Sequence, residues 1–133
     1  VATSHLPEIK PVISLQNIVE AKELVNQIYL DEKIEKYILD MVFATRFPEK
    51  YGLSELKSLI SFGASPRASI AILNAAKGFA AIKGRDFVTP EDIKEAAIPV
   101  LQHRVVVTPE REMEGISASE IIKQIVDSVE IPR

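Results

Sequence analysis

Arg67 lies at the start of a predicted helix, where the helix dipole disfavours a positive charge. Ser65 and Pro66 precede it. This pair is a strong signal for a helix start, because serine can accept from first-turn amides and proline has no amide to leave unpaired. A phosphate group would turn the unfavourable charge into an attraction, since free amides, the dipole and a planar guanidinium would all bind it. The pattern therefore predicts a phosphate site formed by Ser65, Pro66 and Arg67.

The other predicted helix starts differ from this one. Acidic residues occupy the first turn of three of them, as the positive end of a helix favours: Asp31-Glu32, Glu91-Asp92 and Glu120. A plainer interpretation of Arg67 is that its side chain extends into solvent or pairs with a neighbouring acid. The residues alone leave both interpretations open.

Motifs for catalysis are missing from the sequence. None of the five glycines has the spacing of a phosphate-binding loop that ends in lysine and a hydroxyl residue. His5 and His103 stand far apart, and the chain has no cysteine, so neither a nucleophile with its base nor a metal-binding cluster is indicated. We therefore expect no bound metal and no enzyme activity from this chain alone.

One segment imitates a magnesium site. Ile28-Tyr29-Leu30-Asp31-Glu32 has the order of an apolar strand followed by the paired acids that hold magnesium in nucleotide hydrolases. The two acids also open a strongly helical pattern, where they would suit the positive helix end. We interpret Asp31 as a helix cap.

Apolar periodicity predicts an all-α fold, a small bundle of five to six helices with at most a very short strand pair. The predicted helices run from 15 to 29 with Ser14 as the cap, from Asp31 to Arg46, from Ser65-Pro66 to Lys83 with Gly84 as the stop, from Thr89, and from Ser117, which forms a capping box with Glu120. The second helix has the spacing of a buried face at Ile34, Tyr37, Ile38, Met41 and Val42. Pro99 should kink or split the fourth helix.

Two stretches are harder to assign. The segment 47–64 contains either a short helix from Ser54 or an extended piece, and the β-branched run Val105–Val107 indicates a brief strand.

The composition indicates one domain. A chain of 133 residues with 47% apolar content can bury a single core, which we place at 14–133, after a linker leader at 1–13 that holds two prolines. The sequence opens at Val1 without an initiator methionine, so we expect a piece of a longer protein. No apolar run approaches 18 residues and no signal-peptide pattern precedes the domain, so we expect no membrane insertion and a cytoplasmic location. The net charge of −3 combines 16 basic and 19 acidic residues, and we expect no nucleic-acid partner.

A family resemblance becomes visible around Arg67. The string Gly63-Ala64-Ser65-Pro66-Arg67-Ala68-Ser69 resembles the signature that opens a lid helix in MoxR-type AAA+ ATPases. Further landmarks follow the order of that family: Tyr37-Ile38, Ala44-Thr45-Arg46, the run from Gly84 to Asp92, Val100-Leu101 and His103-Arg104. The resemblance covers residues 11–108. The segment from Pro48 to Phe62 and the tail after Pro109 are less diagnostic.

The resemblance implies a role within a larger enzyme. It implies that a P-loop ATPase domain of the same chain holds ATP with magnesium, and that Arg67 is the catalytic sensor-two arginine reaching the γ-phosphate. It also implies neighbouring subunits in a homo-oligomeric ring, chaperone-like remodelling, and partner proteins with von Willebrand factor A domains. Arg46 and His103-Arg104 would contact the ATPase core or a neighbouring subunit, or would only complement the negative ends of their helices.

Two other functions stay open at this stage. Short helices around the run Arg85 to Pro90 also resemble histone-like pairing folds, so a stand-alone module that binds protein or nucleic acid is the main alternative. A purely structural dimerisation bundle is the other.

Overall fold

Six α-helices and one pair of short strands make up the regular structure of residues 5–133, the part of the chain that a computed structural model describes. Their bounds are α1 (Leu15–Asn26), α2 (Glu32–Arg46), β1 (Ile60–Phe62), α3 (Arg67–Ile82), α4 (Pro90–Leu101), β2 (Val106–Val107), α5 (Pro109–Met113) and α6 (Ala118–Ser128). The predicted all-α bundle with a very short strand pair is confirmed. None of these helices combines the length and hydropathy that a transmembrane span requires.

The core forms where α3 packs along α4, with α2 and α6 against them. Buried alanines on the facing sides let the helix backbones approach closely: Ala68, Ala76 and Ala80 on α3, and Ala96 and Ala97 on α4. Larger side chains then fill the spaces between helices, among them Ile72 and Ile93. The predicted inward face of α2 is also confirmed, because Ile34, Tyr37, Ile38, Met41 and Val42 are all buried.

Three predicted helix caps are present. The Ser14 hydroxyl accepts from the Asn17 amide, a carboxylate oxygen of Asp31 accepts from the Lys33 amide, and the Ser117 hydroxyl accepts from the Glu120 amide. Each bond satisfies a first-turn amide that has no partner inside its helix. Asp31 is therefore a cap, as the sequence indicated. Gly84 ends α3 with φ of 75°, a left-handed conformation that glycine adopts without steric cost.

The first helix is shorter than predicted and lies on the outside. It ends at Asn26 rather than at 29, because Tyr29 extends and forms a parallel bridge with Phe87. No residue of α1 is buried, and even Ile18 and Val19 keep 44% and 47% of their surface exposed. The predicted leader, 1–13, is described only from residue 5, so its first four residues, including the start at Val1, lie outside the described part.

The segment 47–64 contains both a short helical turn and an extended piece, the two structures predicted for it as alternatives. After α2 come two 3-10 turns, Pro48–Tyr51 and Ser54–Leu56, and then β1 pairs antiparallel with β2. The predicted strand at Val105–Val107 is therefore present as β2. The short α5, which follows it, was not predicted.

Pro99 does not split α4, which continues from Pro90 to Leu101. The predicted split was therefore wrong, because the proline lies two residues before the end of the helix, and the predicted kink stays a prediction. The proline removes only one hydrogen bond near a terminus that water can reach.

Truncation of Ile72 tests the α3–α4 packing. Ile72→Ala should lower the free energy of unfolding by about 2–5 kcal/mol, because it removes a fully buried side chain and leaves a cavity. Ile70→Ala, on the same helix with 60% of its surface exposed, is the matched control and should change stability by less than about 1 kcal/mol. Urea unfolding of both variants measures the difference, and equal losses would contradict the packing described.

Candidate functional site

The candidate site begins where the chain passes the C-terminal end of α2 and enters α3. Thr45, in the last turn of α2, is buried, and its hydroxyl oxygen accepts a 2.9 Å hydrogen bond from the Ala64 amide. The same hydroxyl donates to the carbonyl oxygen of Val42 at 2.6 Å. One buried side chain therefore satisfies the Ala64 amide and joins the segment before α3 to the last turn of α2.

Gly63 makes this approach possible. A Cβ atom at this position would lie against the carbonyl oxygen of Thr45 and 2.8 Å from the Cα atom of Arg46, and both contacts are with backbone. Arg46 adds a second connection, since its Nη1 donates to the Ala64 carbonyl oxygen at 3.3 Å. We call these four residues, Thr45, Arg46, Gly63 and Ala64, the α2–α3 junction.

Backbone groups, rather than the Ser65 side chain, bond the first amides of α3. Pro66 already has helical angles, with φ of −57° and ψ of −21°, and no side chain caps the helix. The Ala68 amide donates to the Ser65 carbonyl oxygen and the Ser69 amide donates to that of Pro66. The predicted Ser65 cap was therefore wrong, because backbone carbonyl oxygens, and not the Ser65 hydroxyl, accept from the Ala68 and Ser69 amides.

Arg67 is exposed at this helix start. Within residues 5–133 its side chain has no hydrogen bond and no ion pair, and no acid lies in the first turn of α3. Of the plainer interpretations, pairing with a neighbouring acid is not seen in this part of the chain, and extension into solvent agrees with the exposed side chain. The guanidinium can therefore reach an external anion without breaking an internal contact.

A second arginine, at the other end of α3, has the opposite environment. Nη1 and Nη2 of Arg85 donate to the two carboxylate oxygens of Asp92 at 2.7 and 2.6 Å, and Asp92 is fully buried. The amide and hydroxyl of Thr89 donate to the same carboxylate at 2.9 and 3.2 Å. This cluster joins the end of α3 to the start of α4. These residues belong to the run from Gly84 to Asp92 that resembles the family, but the pairing of Arg85 with Asp92 was not predicted.

Two opposing effects set the pKa of the Asp92 carboxyl group, and the effect that favours its ionised form is the larger. Burial raises its pKa, but hydrogen bonds from Arg85 and Thr89 and the positive charge of Arg85 outweigh burial and lower the pKa from its ordinary 3.8 to about 2. Asp92 therefore carries a negative charge at neutral pH, which holds the α3–α4 turn.

Of the remaining basic candidates, Arg104 contacts the C-terminal end of α4. Nη1 of Arg104 donates to the Val100 carbonyl oxygen at 2.6 Å, which satisfies a carbonyl in the last turn of α4. His103 is exposed beside Gln102. For Arg104, complementing the negative helix end accounts for the contact observed.

Comparison with known proteins agrees with this architecture. The family model of the AAA lid domain matches residues 54–125. Chaperone MoxR1 of Mycobacterium tuberculosis is 35% identical over 127 residues, which are 96% of this chain and 34% of that protein. Protein MoxR of Paracoccus denitrificans is 32% identical over 80 residues, or 57% of this chain and 24% of that protein.

A solved structure extends the comparison to three dimensions. The crystal structure of a provisionally assigned ATPase from Cytophaga hutchinsonii has 40% sequence identity and a TM-score of 0.92, and the match covers 98% of this chain and 41% of that one. The fold and these matches define an AAA lid domain. The chain belongs to the MoxR type of this AAA+ family. It spans about a third of the length of the first curated relatives.

Gly63→Ala tests the close approach at the α2–α3 junction. We expect a loss of about 1–3 kcal/mol in the free energy of unfolding, because the new methyl group would press on the backbone of Thr45. Gly78→Ala is the control. Its Cβ would meet open space inside α3, so a gain of roughly 0.5–1 kcal/mol is expected. Denaturant midpoints give both values, and a neutral Gly63→Ala would contradict the contact.

Asp92→Asn tests the buried ion pair. Loss of the charge should lower the free energy of unfolding at pH 7 by about 3 kcal/mol, since Arg85 would lose its counter-ion. Because the folded pKa is depressed, the stability from ionised Asp92 is fully present above the ordinary 3.8 and is lost as pH falls towards about 2.

The variant should therefore lose less stability than the wild type between pH 4 and pH 2, which urea titrations at several pH values would measure. Asp86→Asn, an exposed change in the same turn, is the control and should change the free energy of unfolding at pH 7 by less than about 1 kcal/mol. Parallel pH curves for wild type and Asp92→Asn would refute the role given to this carboxylate.

Proposed function

We propose that this domain is the lid of a MoxR-family AAA+ ATPase and that Arg67 contacts the γ-phosphate of ATP. A P-loop domain of the same longer protein would hold that ATP together with magnesium. The observation that carries the proposal is the exposed guanidinium at the start of a 16-residue helix, with no internal partner among residues 5–133. Without an anion, this charge is slightly unfavourable where it lies, and a phosphate would reverse the sign.

The guanidinium would provide most of the contact. Because the Ala68 and Ser69 amides already donate to backbone carbonyls, they contribute to a phosphate site only through the field of the helix. Ser65 and Pro66 then serve as the turn that directs Arg67 rather than as direct ligands. A planar, permanently charged fork suits the phosphoryl oxygens, on which negative charge is distributed during transfer.

The lid would respond to the nucleotide as a unit. Junctions at both ends of α3 join it to α2 and to α4, so a contact at Arg67 would move packed helices together. We propose that this movement couples ATP turnover to remodelling of client proteins by a homo-oligomeric ring. The name of the Mycobacterium tuberculosis relative, a chaperone, supports such a role. Proteins with von Willebrand factor A domains are our candidates for partners.

Arg67→Ala in the full-length protein tests the proposal. We expect steady-state ATP hydrolysis at saturating nucleotide to fall roughly 100-fold, as when one preorganised donor to a transition state is removed. The ring should still assemble, which sedimentation measures. Arg67→Lys should recover only part of the rate, because lysine keeps the charge and loses the fork.

Lys123→Ala, a change to an exposed cation on α6, provides the control and should hydrolyse ATP at the wild-type rate. Hydrolysis by Arg67→Ala that equals this control, with intact rings, would remove the proposed role of Arg67.

A further inference from the structure

We propose that Thr45 is a positioning residue for Arg67, so that the last turn of α2 sets where the guanidinium stands. The inference rests on the proposed function of Arg67 and adds a residue on another helix to that site. Thr45 itself would touch no nucleotide. Its hydroxyl would act through the peptide backbone between Ala64 and Arg67.

The hydrogen bonds of the Thr45 hydroxyl are the first step of the argument. The hydroxyl donates to Val42 and accepts from Ala64, so its two bonds have one consistent proton arrangement. The Thr45 residue is 1% exposed and Ala64 is fully buried, so water cannot readily replace either bond. The Ala64 amide is therefore held at one place relative to α2.

The second step is the short, stiff path from Ala64 to Arg67. Only Ser65 and Pro66 lie between them. The proline ring restricts φ, and the bonds from the Ala68 and Ser69 amides close the turn. A displacement of the Ala64 peptide therefore passes to the start of α3 with little absorbed by the turn.

Arg46 supports the same peptide from the other side. Its Nη1 donates to the Ala64 carbonyl oxygen, and its guanidinium lies 5.9 Å from the centre of the Phe47 ring. Because Arg46 is exposed, water can compete for this bond, and its contribution should be smaller than that of Thr45.

The experiment uses four variants of the full-length ATPase: Thr45→Val, Thr45→Ser, Arg67→Ala and the double variant Thr45→Val with Arg67→Ala. Valine keeps the shape of threonine but leaves the Ala64 amide without an acceptor, so the peptide should shift. We expect kcat to fall about tenfold or more, since a misplacement of about 1 Å can cost roughly 100-fold. KM for ATP should change less than about twofold, because the P-loop domain, and not this lid, would bind ATP before the reaction begins.

Two comparisons separate positioning from general destabilisation. Thr45→Ser retains the hydroxyl and should keep kcat near the wild-type value. In the Arg67→Ala background, Thr45→Val should cause no further loss of kcat, because the group it positions is already absent.

The outcomes distinguish this inference from the proposed function. If Arg67→Ala leaves hydrolysis unchanged, the proposed function fails. If Arg67→Ala slows hydrolysis and Thr45→Val does not, or Thr45→Val lowers kcat by the same factor with and without Arg67, the positioning role is overturned. If Thr45→Val does not fold, Arg46→Met replaces it in the same cycle. Its loss of kcat should be smaller and should likewise disappear in the Arg67→Ala background, and persistence there would overturn the inference.

Discussion

The approach of the Gly63-Ala64 peptide to the last turn of α2 is the constraint on which the start of α3 depends. A hydroxyl at 45 provides the acceptor, and a missing side chain at 63 provides the space. Neither is sufficient alone, because a bulkier residue at 63 would push the Ala64 amide away from Thr45, and an apolar residue at 45 would leave that amide unpaired. The position of the Ala64 amide beside α2 therefore depends on two residues outside α3, Thr45 and Gly63.

A buried ion pair, rather than a hydroxyl contact, fixes the C-terminal end of α3. There a bidentate ion pair between Arg85 and Asp92, supported by Thr89, spans the turn into α4. Burying the carboxylate is unfavourable, and four donor contacts compensate for it. The helix α3 is therefore held at both ends and packed along its length.

The two arginines near the ends of α3 thus have opposite environments. Arg85 has a buried carboxylate, two short hydrogen bonds and a structural task, while Arg67 is exposed with no partner in the described part of the chain. Charge and residue type are the same in both cases. The difference arises from whether the fold brings an acid to the guanidinium, and it separates an arginine that holds the fold together from one available to a ligand.

Local features were determined by the sequence itself. The caps at Ser14, Asp31 and Ser117, the stop at Gly84 and the buried face of α2 all depend on groups a few residues apart, so their spacing is sufficient to predict them. The unusual cation at Arg67 was visible for the same reason. Whether it binds phosphate stays a prediction.

Only the tertiary structure decided which distant groups meet. Ala64 and Thr45 are 19 residues apart, and the partners of β1 and β2 are more than 40 apart, distances over which periodicity specifies no partner. The same limit explains why α1 has an apolar stripe that residues 5–133 leave largely uncovered. A helical pattern shows which face is apolar, but the packing of other elements determines whether that face is covered and where the chain turns.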